Sequence, residues 1–172
     1  LFHVKHNKIF AFTNQKGGVG KTTSAINLAT GLSCLGKKIL LIDVDPQGNA
    51  TSGLGIDKNK QLHTIYKVII GEIDISHAII KTEIDGLSLI PSNSQLSGSE
   101  IELISLSERE FRVRKMIDPI REEFDFIFID CPPSLGLLTV NALTASDSIL
   151  IPLQCEYYAL EGLGQLLETI RL

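Results

Sequence analysis

The chain has 172 residues, of which 44% are hydrophobic and 21% are charged, and its formal net charge is −4. These proportions are ordinary for a globular domain and exclude a disordered chain, a collagen-like fibre and a low-complexity tract. A mildly acidic chain has no bulk positive charge for nucleic acid, so such a role would need a local basic patch or a surface outside this segment.

Short apolar runs alternate with helical patterns along the chain. The runs predict strands at 8–13, 39–42, 87–91, 126–130 and 148–152. Helical spacing and Ser-x-x-Glu capping sequences predict a helix ending at Gly36, short helices within 62–81, helices starting at Ser97 and Ser107, and helices at 134–145 and 160–172. Strands that are apolar throughout and separated by helices predict an α/β fold, with a mostly parallel sheet and helices on both faces. Without repeats or linkers, residues 1–172 are predicted to form a single domain.

A glycine-rich segment, residues 15–23, joins the first predicted strand to the first predicted helix. Glycines let successive backbone N–H groups converge on phosphate oxygens, and the following helix directs its positive N-terminus at the same anion. In such a phosphate-binding loop (P-loop), Lys21 would reach the β- and γ-phosphates and the Thr22 hydroxyl would bind Mg²⁺. The segment therefore predicts a nucleotide site built from eight consecutive residues: Lys16, Gly17, Gly18, Val19, Gly20, Lys21, Thr22 and Thr23.

The P-loop departs from the standard G-x-x-x-x-G-K-[ST] pattern at its first position. Gln15 stands where that pattern has glycine, and an additional lysine, Lys16, follows it. Its neighbours indicate that Lys16 also faces phosphate, including phosphate held by another subunit. The alternative is an ordinary surface lysine.

Aspartates follow two of the predicted strands. Asp130 ends the run at 126–129, a Walker-B pattern whose carboxylate can hold Mg²⁺ directly or through water. Asp43 and Asp45 follow the run at 39–42. Ligands of open α/β sheets bind at the carboxyl ends of the strands, so Asp45 is predicted to orient or polarise a water that attacks the γ-phosphate. The role of Asp43 stays open, and each aspartate taken singly would serve equally well as a helix or loop cap.

Other reactive side chains are interpreted as structural. The three cysteines, Cys34, Cys131 and Cys155, form no Cys-x-x-Cys pair, which argues against a disulfide framework or a zinc site and predicts a reducing, cytoplasmic setting. Cys131 is predicted to be buried rather than nucleophilic. Tyr157 and Tyr158 are predicted to pack rather than to stack on a base. No apolar run approaches the roughly 18 residues that a membrane span needs.

The P-loop resembles that of the deviant Walker-A ATPases, the MinD/ParA superfamily, which includes the ParA/Soj partitioning proteins, the MinD division-site proteins and the nitrogenase iron protein. Further segments narrow the resemblance to the ParA/Soj branch, at 43–51, 90–93, 96–103, 130–134 and 158–163. The resemblance spans almost the whole chain and implies a P-loop NTPase fold of the deviant Walker-A type.

The resemblance also implies roles for individual residues. Lys16 looks like the signature lysine that crosses an ATP-sandwich dimer to the partner's nucleotide. Lys21 and Thr22 match the P-loop lysine and the Mg²⁺-binding hydroxyl. Asp45 matches the aspartate linked to hydrolysis, and Asp130 matches the Walker-B residue.

At the level of the protein, the resemblance implies a Mg²⁺-dependent ATPase that cycles between ATP and ADP. It would dimerise with ATP, bind DNA without sequence preference and segregate a chromosome or a plasmid with a ParB-type partner. The expected location is cytoplasmic and nucleoid-associated, without a membrane partner. Family members usually run on for several more strands and helices, so the chain is expected to lack a C-terminal portion that carries most of the DNA-binding surface.

Two alternatives remain open at this point. A MinD-like membrane-cycling ATPase would use a C-terminal amphipathic helix as its anchor, and the Asp-Pro-Gln-Gly-Asn sequence at 45–49 favours the partitioning branch instead. A nucleotide-bound interaction module with little turnover would use Lys16 and Asp45 only to shape a binding surface.

Overall fold

A computed structural model describes residues 7–155 together with positions 164 and 168. Within this part of the chain the strands are β1 (Lys8–Phe12), β2 (Ile39–Asp43), β3 (Ile80–Lys81), β4 (Leu87–Ile90), β5 (Phe126–Asp130) and β6 (Ser148–Leu150). The α-helices are α1 (Lys21–Cys34), α2 (Asn49–Gly53), α3 (Ile65–Ile70), α4 (Leu96–Ile104), α5 (Arg112–Ile117) and α6 (Leu137–Ala145). Short 3₁₀ turns occupy Lys58–Lys60, Ile75–Ala78, Arg109–Phe111 and Asp118–Glu123. The predictions for Tyr157 and Tyr158 lie outside the described residues, as does the helix predicted at 160–172 apart from positions 164 and 168.

The strands form one sheet in the order β3-β4-β2-β5-β1-β6. Every neighbouring pair is parallel except β3 and β4, which are antiparallel. All five residues of β2, near the middle of the sheet, are buried. The predicted α/β fold with a mostly parallel sheet is therefore confirmed. No helix in the described part of the chain has the length and apolar character to cross a bilayer.

The sheet separates two hydrophobic cores. Along β2, Leu40 and Ile42 point into the core shared with α3 to α6, whereas Ile39 and Leu41 point into the core shared with α1 and α2. Alternation of side chains along a strand explains why a strand covered on both faces reads as a continuous apolar run. The second core contains an edge-to-face pair, Phe12 and Phe128, with ring centroids 5.2 Å apart. Such a pair contributes about 0.5–1.5 kcal/mol beyond its burial.

The parallel register brings the carboxyl ends of three strands together. Phe12 of β1 and Asp43 of β2 both lie opposite Asp130 of β5. The P-loop leaves β1 at this edge, so the loop and the two aspartates are neighbours in space although more than 80 residues separate Asp43 from Asp130. The fold thus builds the predicted site at the edge of the sheet where open α/β proteins bind ligands.

Several boundaries differ from those that the sequence predicts. Helix α4 begins one residue before Ser97, because the Asn93 side chain accepts the backbone N–H of Gln95 at 3.1 Å and starts the turn earlier. The helix predicted from Ser107 instead opens with a 3₁₀ turn after Glu108, whose φ of 52° is left-handed. Strand β3 is only two residues long, which is too short to produce a recognisable hydrophobic pattern in the sequence.

Candidate functional site

The P-loop has a backbone that glycine makes possible. Gly18 and Gly20 have φ angles of 74° and 91°, a left-handed conformation that is strained for other residues. Gly20 is the residue from which the 14-residue helix α1 starts, and no side chain in the described part of the chain caps that helix. The backbone N–H groups at the start of α1 are therefore available to an anion, and the helix dipole favours negative charge there.

A cavity of about 480 Å³ opens on the P-loop. The P-loop residues that line it are Gly17, Gly18, Gly20, Lys21, Thr22 and Thr23. Other parts of the lining come from Asp45 and Asn49, which follow β2, and from Pro133, which follows β5. Three separate connections at one edge of the sheet thus converge on a single space, and most of the predicted nucleotide-binding residues lie on its surface.

The Lys21 side chain is held inside the site rather than in solvent. The residue is only 7% exposed, and its ammonium donates to the carbonyl oxygen of Lys16 at 3.1 Å. Burial lowers the pKa of Lys21, while the carboxyl groups of Asp130 and Asp45 act in the opposite direction. The P-loop therefore presents a desolvated cation to the cavity, with acidic groups nearby.

Asp130 is a buried carboxylate without a hydrogen-bond donor. It is fully buried, and neither of its oxygens accepts a hydrogen bond from any described residue. The pKa of Asp130 is raised to about 7, chiefly by burial and also by Asp43 and Asp45, against the opposing effects of the nearby Thr22 hydroxyl and the Lys21 ammonium. The Thr22 hydroxyl is thus a neighbour, although it does not reach ordinary hydrogen-bonding geometry. A buried, unsatisfied carboxylate beside a hydroxyl is the donor set that Mg²⁺ prefers, so these residues fit the metal.

Asp45 lines the same cavity as the P-loop. It is 6% exposed, and its Oδ1 accepts the backbone N–H of Gln47 at 2.9 Å. This turn holds the carboxylate close enough to Lys21 to influence the pKa of that lysine. The carboxylate is placed where it can contact a small molecule seated on the P-loop.

A protein family described as AAA domain matches residues 7–172. The chain belongs to this family. Its relatives place it in the ParA/Soj branch. The chain is 55% identical over 165 residues to the sporulation initiation inhibitor protein Soj of Bacillus subtilis (strain 168). This alignment covers 96% of the chain and 65% of Soj. It is 54% identical over 165 residues to the chromosome partitioning protein ParA of Myxococcus xanthus (strain DK1622), covering 96% of this chain and 58% of that protein. This AAA domain therefore spans less than two thirds of the length of these relatives.

A solved structure has the same fold. Cobyrinic acid a,c-diamide synthase from Mycobacterium smegmatis, crystallised with an ATP analog and magnesium, superposes with a TM-score of 0.92 and 41% sequence identity. The match covers 95% of this AAA domain and 67% of that chain. The likeness confirms the predicted P-loop NTPase fold.

Three predicted site residues of this AAA domain do not line the cavity: the fully buried Asp130, and Lys16 and Val19 of the P-loop. Lys16 is exposed, and its ammonium lies 3.5 Å from Oε1 of Gln154. The Val19 side chain is buried beneath the P-loop. Both contribute to the loop through their backbones, and the contact of Lys16 with a nucleotide across a dimer stays a prediction.

Cys131 is buried, as predicted, and burial raises the pKa of its thiol well above the usual value. A thiol with a raised pKa is rarely a thiolate at neutral pH, so Cys131 is poorly suited to act as a nucleophile.

Other residues of the AAA domain brace the site and were not singled out from the sequence. The Asn14 side chain accepts the backbone N–H of Lys16 at 3.0 Å and donates to the carbonyl of Pro152 at 2.8 Å. Gln154 donates to the carbonyl of Gly18 at 3.2 Å. Residues 47–55, where the sequence patterns predict neither a strand nor a helix, contain α2, which supplies Asn49 and Gly53 to the cavity. Only the sequence 43–51, already singled out by resemblance, signalled that this region matters.

Proposed function

We propose that this AAA domain binds ATP and ADP with Mg²⁺ and hydrolyses ATP. One observation carries the proposal: a cavity combines a bent glycine loop, the buried Lys21 ammonium and the Asp45 carboxylate, beside the donor-free Asp130 carboxylate. The P-loop would hold the phosphates, Lys21 would bind the β- and γ-phosphates, and Thr22 and Asp130 would hold the metal. Mg²⁺ supplies charge neutralisation on the phosphates, and Asp45 would orient the attacking water.

We further propose that residues 1–172 act as one ATPase domain of a partitioning protein. Identities of 54% and 55% to ParA and Soj proteins, against 41% to the cobyrinic acid enzyme, support partitioning over amide synthesis. The proposed cycle is dimerisation with ATP, non-specific DNA binding in the cytoplasm at the nucleoid, and stimulation by a ParB-type partner. The net charge of −4 implies that DNA binding depends on a local surface rather than on overall charge.

Replacing Asp45 by alanine is expected to lower ATP turnover by about 100-fold and to change nucleotide affinity by less than about threefold. The reason is that Asp45, which lines the cavity but is not part of the P-loop, is proposed to orient the attacking water rather than to bind the nucleotide. Phosphate release and titration with a fluorescent ATP analogue measure the two quantities. Glu83→Ala, at an exposed carboxylate, is the matched control. Wild-type turnover in the Asp45 variant would make this residue structural.

The ATP-loaded Asp45→Ala form of the whole protein, including the C-terminal portion that its relatives have, also separates the candidate functions. Binding to duplex DNA of arbitrary sequence that weakens steeply with added salt supports the partitioning function. Binding to liposomes instead of DNA would favour the MinD-like alternative. Tight nucleotide binding by the wild-type chain with no measurable turnover would favour the interaction module.

Replacing Lys16 by alanine is expected to abolish ATP-dependent dimerisation and to change nucleotide affinity of the monomer by less than about threefold. The exposed position of Lys16, away from the cavity wall, suits contact with a second subunit better than contact with its own nucleotide. Size-exclusion chromatography with light scattering, with Lys60→Ala as the control at another exposed lysine, measures the effect. Dimerisation at the wild-type level would remove this role.

A further inference from the structure

Asp43 and Asp130 lie opposite each other in neighbouring strands, but they differ in their hydrogen bonds. Asp130 has no donor among the described residues, whereas Asp43 has several. Its Oδ2 accepts two hydrogen bonds from Thr51, one from the backbone N–H at 2.8 Å and one from the hydroxyl at 2.7 Å. Its Oδ1 accepts the backbone N–H of Asp45 at 3.2 Å. Asp43 is fully buried, and both of its oxygens are occupied by donors of the chain itself.

The Thr51 hydroxyl also connects Asp43 to the segment that follows β4. While it donates to Asp43, it accepts the backbone N–H of Ser92 at 2.9 Å. Ser92 follows β4, so a single buried hydroxyl joins the exits of β2 and β4 through helix α2. Thr51 thus fixes α2 at the edge of the sheet.

A second contact holds the same turn in place. Gly48 has a φ of 61°, and a β-carbon at this position would lie 2.8 Å from the carbonyl oxygen of Ser92. The turn from Asp45 to Gly48 therefore sits directly on the segment after β4, closer than any other residue would allow. These two anchors, Gly48 and Thr51, lie within the segment that supplies Asp45, Asn49 and Gly53 to the cavity wall.

We propose that Asp43 and Thr51 are positioning residues that hold Asp45 and α2 against the cavity, and that Asp43 is not a Mg²⁺ ligand. A metal at Asp43 would compete with three hydrogen-bond donors from the chain itself, whereas Asp130 has no donor among the described residues. The inference rests on the proposed function, because the position of Asp45 matters for catalysis only if the site turns over ATP.

Thr51→Val tests the positioning role, because valine keeps the branched shape of threonine and removes the hydroxyl. We expect amide hydrogen exchange at Ser92 and across 45–53 to accelerate at least about tenfold. We also expect turnover to fall at least about tenfold with nucleotide affinity kept within about threefold. Thr51→Ser, which restores the hydroxyl, is expected to recover both within about threefold. Unchanged exchange at 45–53, or a parallel fall of turnover and affinity, would overturn the proposal.

Mg²⁺ titration in the presence of a fluorescent ADP analogue tests whether Asp43 is a Mg²⁺ ligand. Asp43→Asn is expected to change Mg²⁺ affinity by less than about threefold, whereas Asp130→Asn weakens it at least about tenfold. A comparable loss in both variants would make Asp43 a ligand and overturn this assignment. If the wild-type chain bound no Mg-nucleotide, the proposed function would fail, and hydrogen exchange in Thr51→Val would still decide whether Thr51 anchors α2.

Discussion

Replacing Lys21 by alanine is expected to weaken Mg-ATP binding by about 100-fold or more. The Lys21 side chain is already buried at the cavity, so contact with a phosphate would add little cost of desolvation. A charge-assisted hydrogen bond contributes about 1.5–3 kcal/mol, and the ammonium can donate to more than one phosphate oxygen. Since about 1.4 kcal/mol corresponds to a tenfold change in affinity, the loss reaches two orders of magnitude.

Calorimetric titration of the two chains with Mg-ATP measures this loss. Lys60→Ala is the matched control, because Lys60 is exposed and its ion pair with Asp57 is worth little. Circular dichroism before titration establishes that the Lys21 variant is folded. Wild-type affinity in a folded Lys21→Ala chain would show that the cavity on the P-loop is not a nucleotide site.

Replacing Asp130 by asparagine is expected to have opposite effects on stability and on metal binding. Without nucleotide, the free energy of unfolding should rise by about 1–3 kcal/mol at pH 8, because the variant no longer buries a charged carboxylate without a donor. With ADP, Mg²⁺ should no longer raise the melting temperature, because the proposed metal ligand has gone. Urea unfolding and thermal melts with and without Mg-ADP measure the two effects.

The pH dependence of the free energy of unfolding provides a second test of the Asp130→Asn prediction. Burial raises the pKa of Asp130 from 3.8 to about 7 in the folded chain, so the protonated form stabilises the fold below pH 3.8, and this stabilisation is lost as the pH rises through about 7. Asp130→Asn should remove the part of the fall in stability with rising pH that comes from Asp130. A weaker decline should remain, because burial raises the pKa of Asp43 to about 6. An Asp130→Asn chain that is less stable than wild type at pH 8 would contradict the prediction.

The sheet and the P-loop could be predicted from the sequence because their signals are local. The strand at 126–130 was predicted at its observed bounds, since a strand buried on both faces is apolar at every position and Asp130 marks its end. The P-loop combines glycine, lysine and threonine at fixed spacing between a strand and a helix, which few other structures need.

The rest of the site depends on contacts that no local pattern records. Thr51 and Ser92 are 41 residues apart, and Asn14 and Pro152 are 138 residues apart, yet each pair forms a hydrogen bond. The distinction between Asp43 and Asp130 also arises in three dimensions: both end apolar runs, but α2 supplies two of the three donors to Asp43, whereas Asp130 has no donor among the described residues. Sequence alone therefore located both carboxylates and left the role of Asp43 open.

The brace on the P-loop has a consequence for synthesis of the protein. The Asn14 and Gln154 side chains join the P-loop to residues that lie 138 and 136 positions away along the chain. A ribosome releases the P-loop long before it releases β6 and Gln154, and closing so long a contact must wait for both partners. We therefore expect the nascent chain to complete the proposed nucleotide pocket only after translation has passed Gln154, which disfavours early binding of ATP on the ribosome.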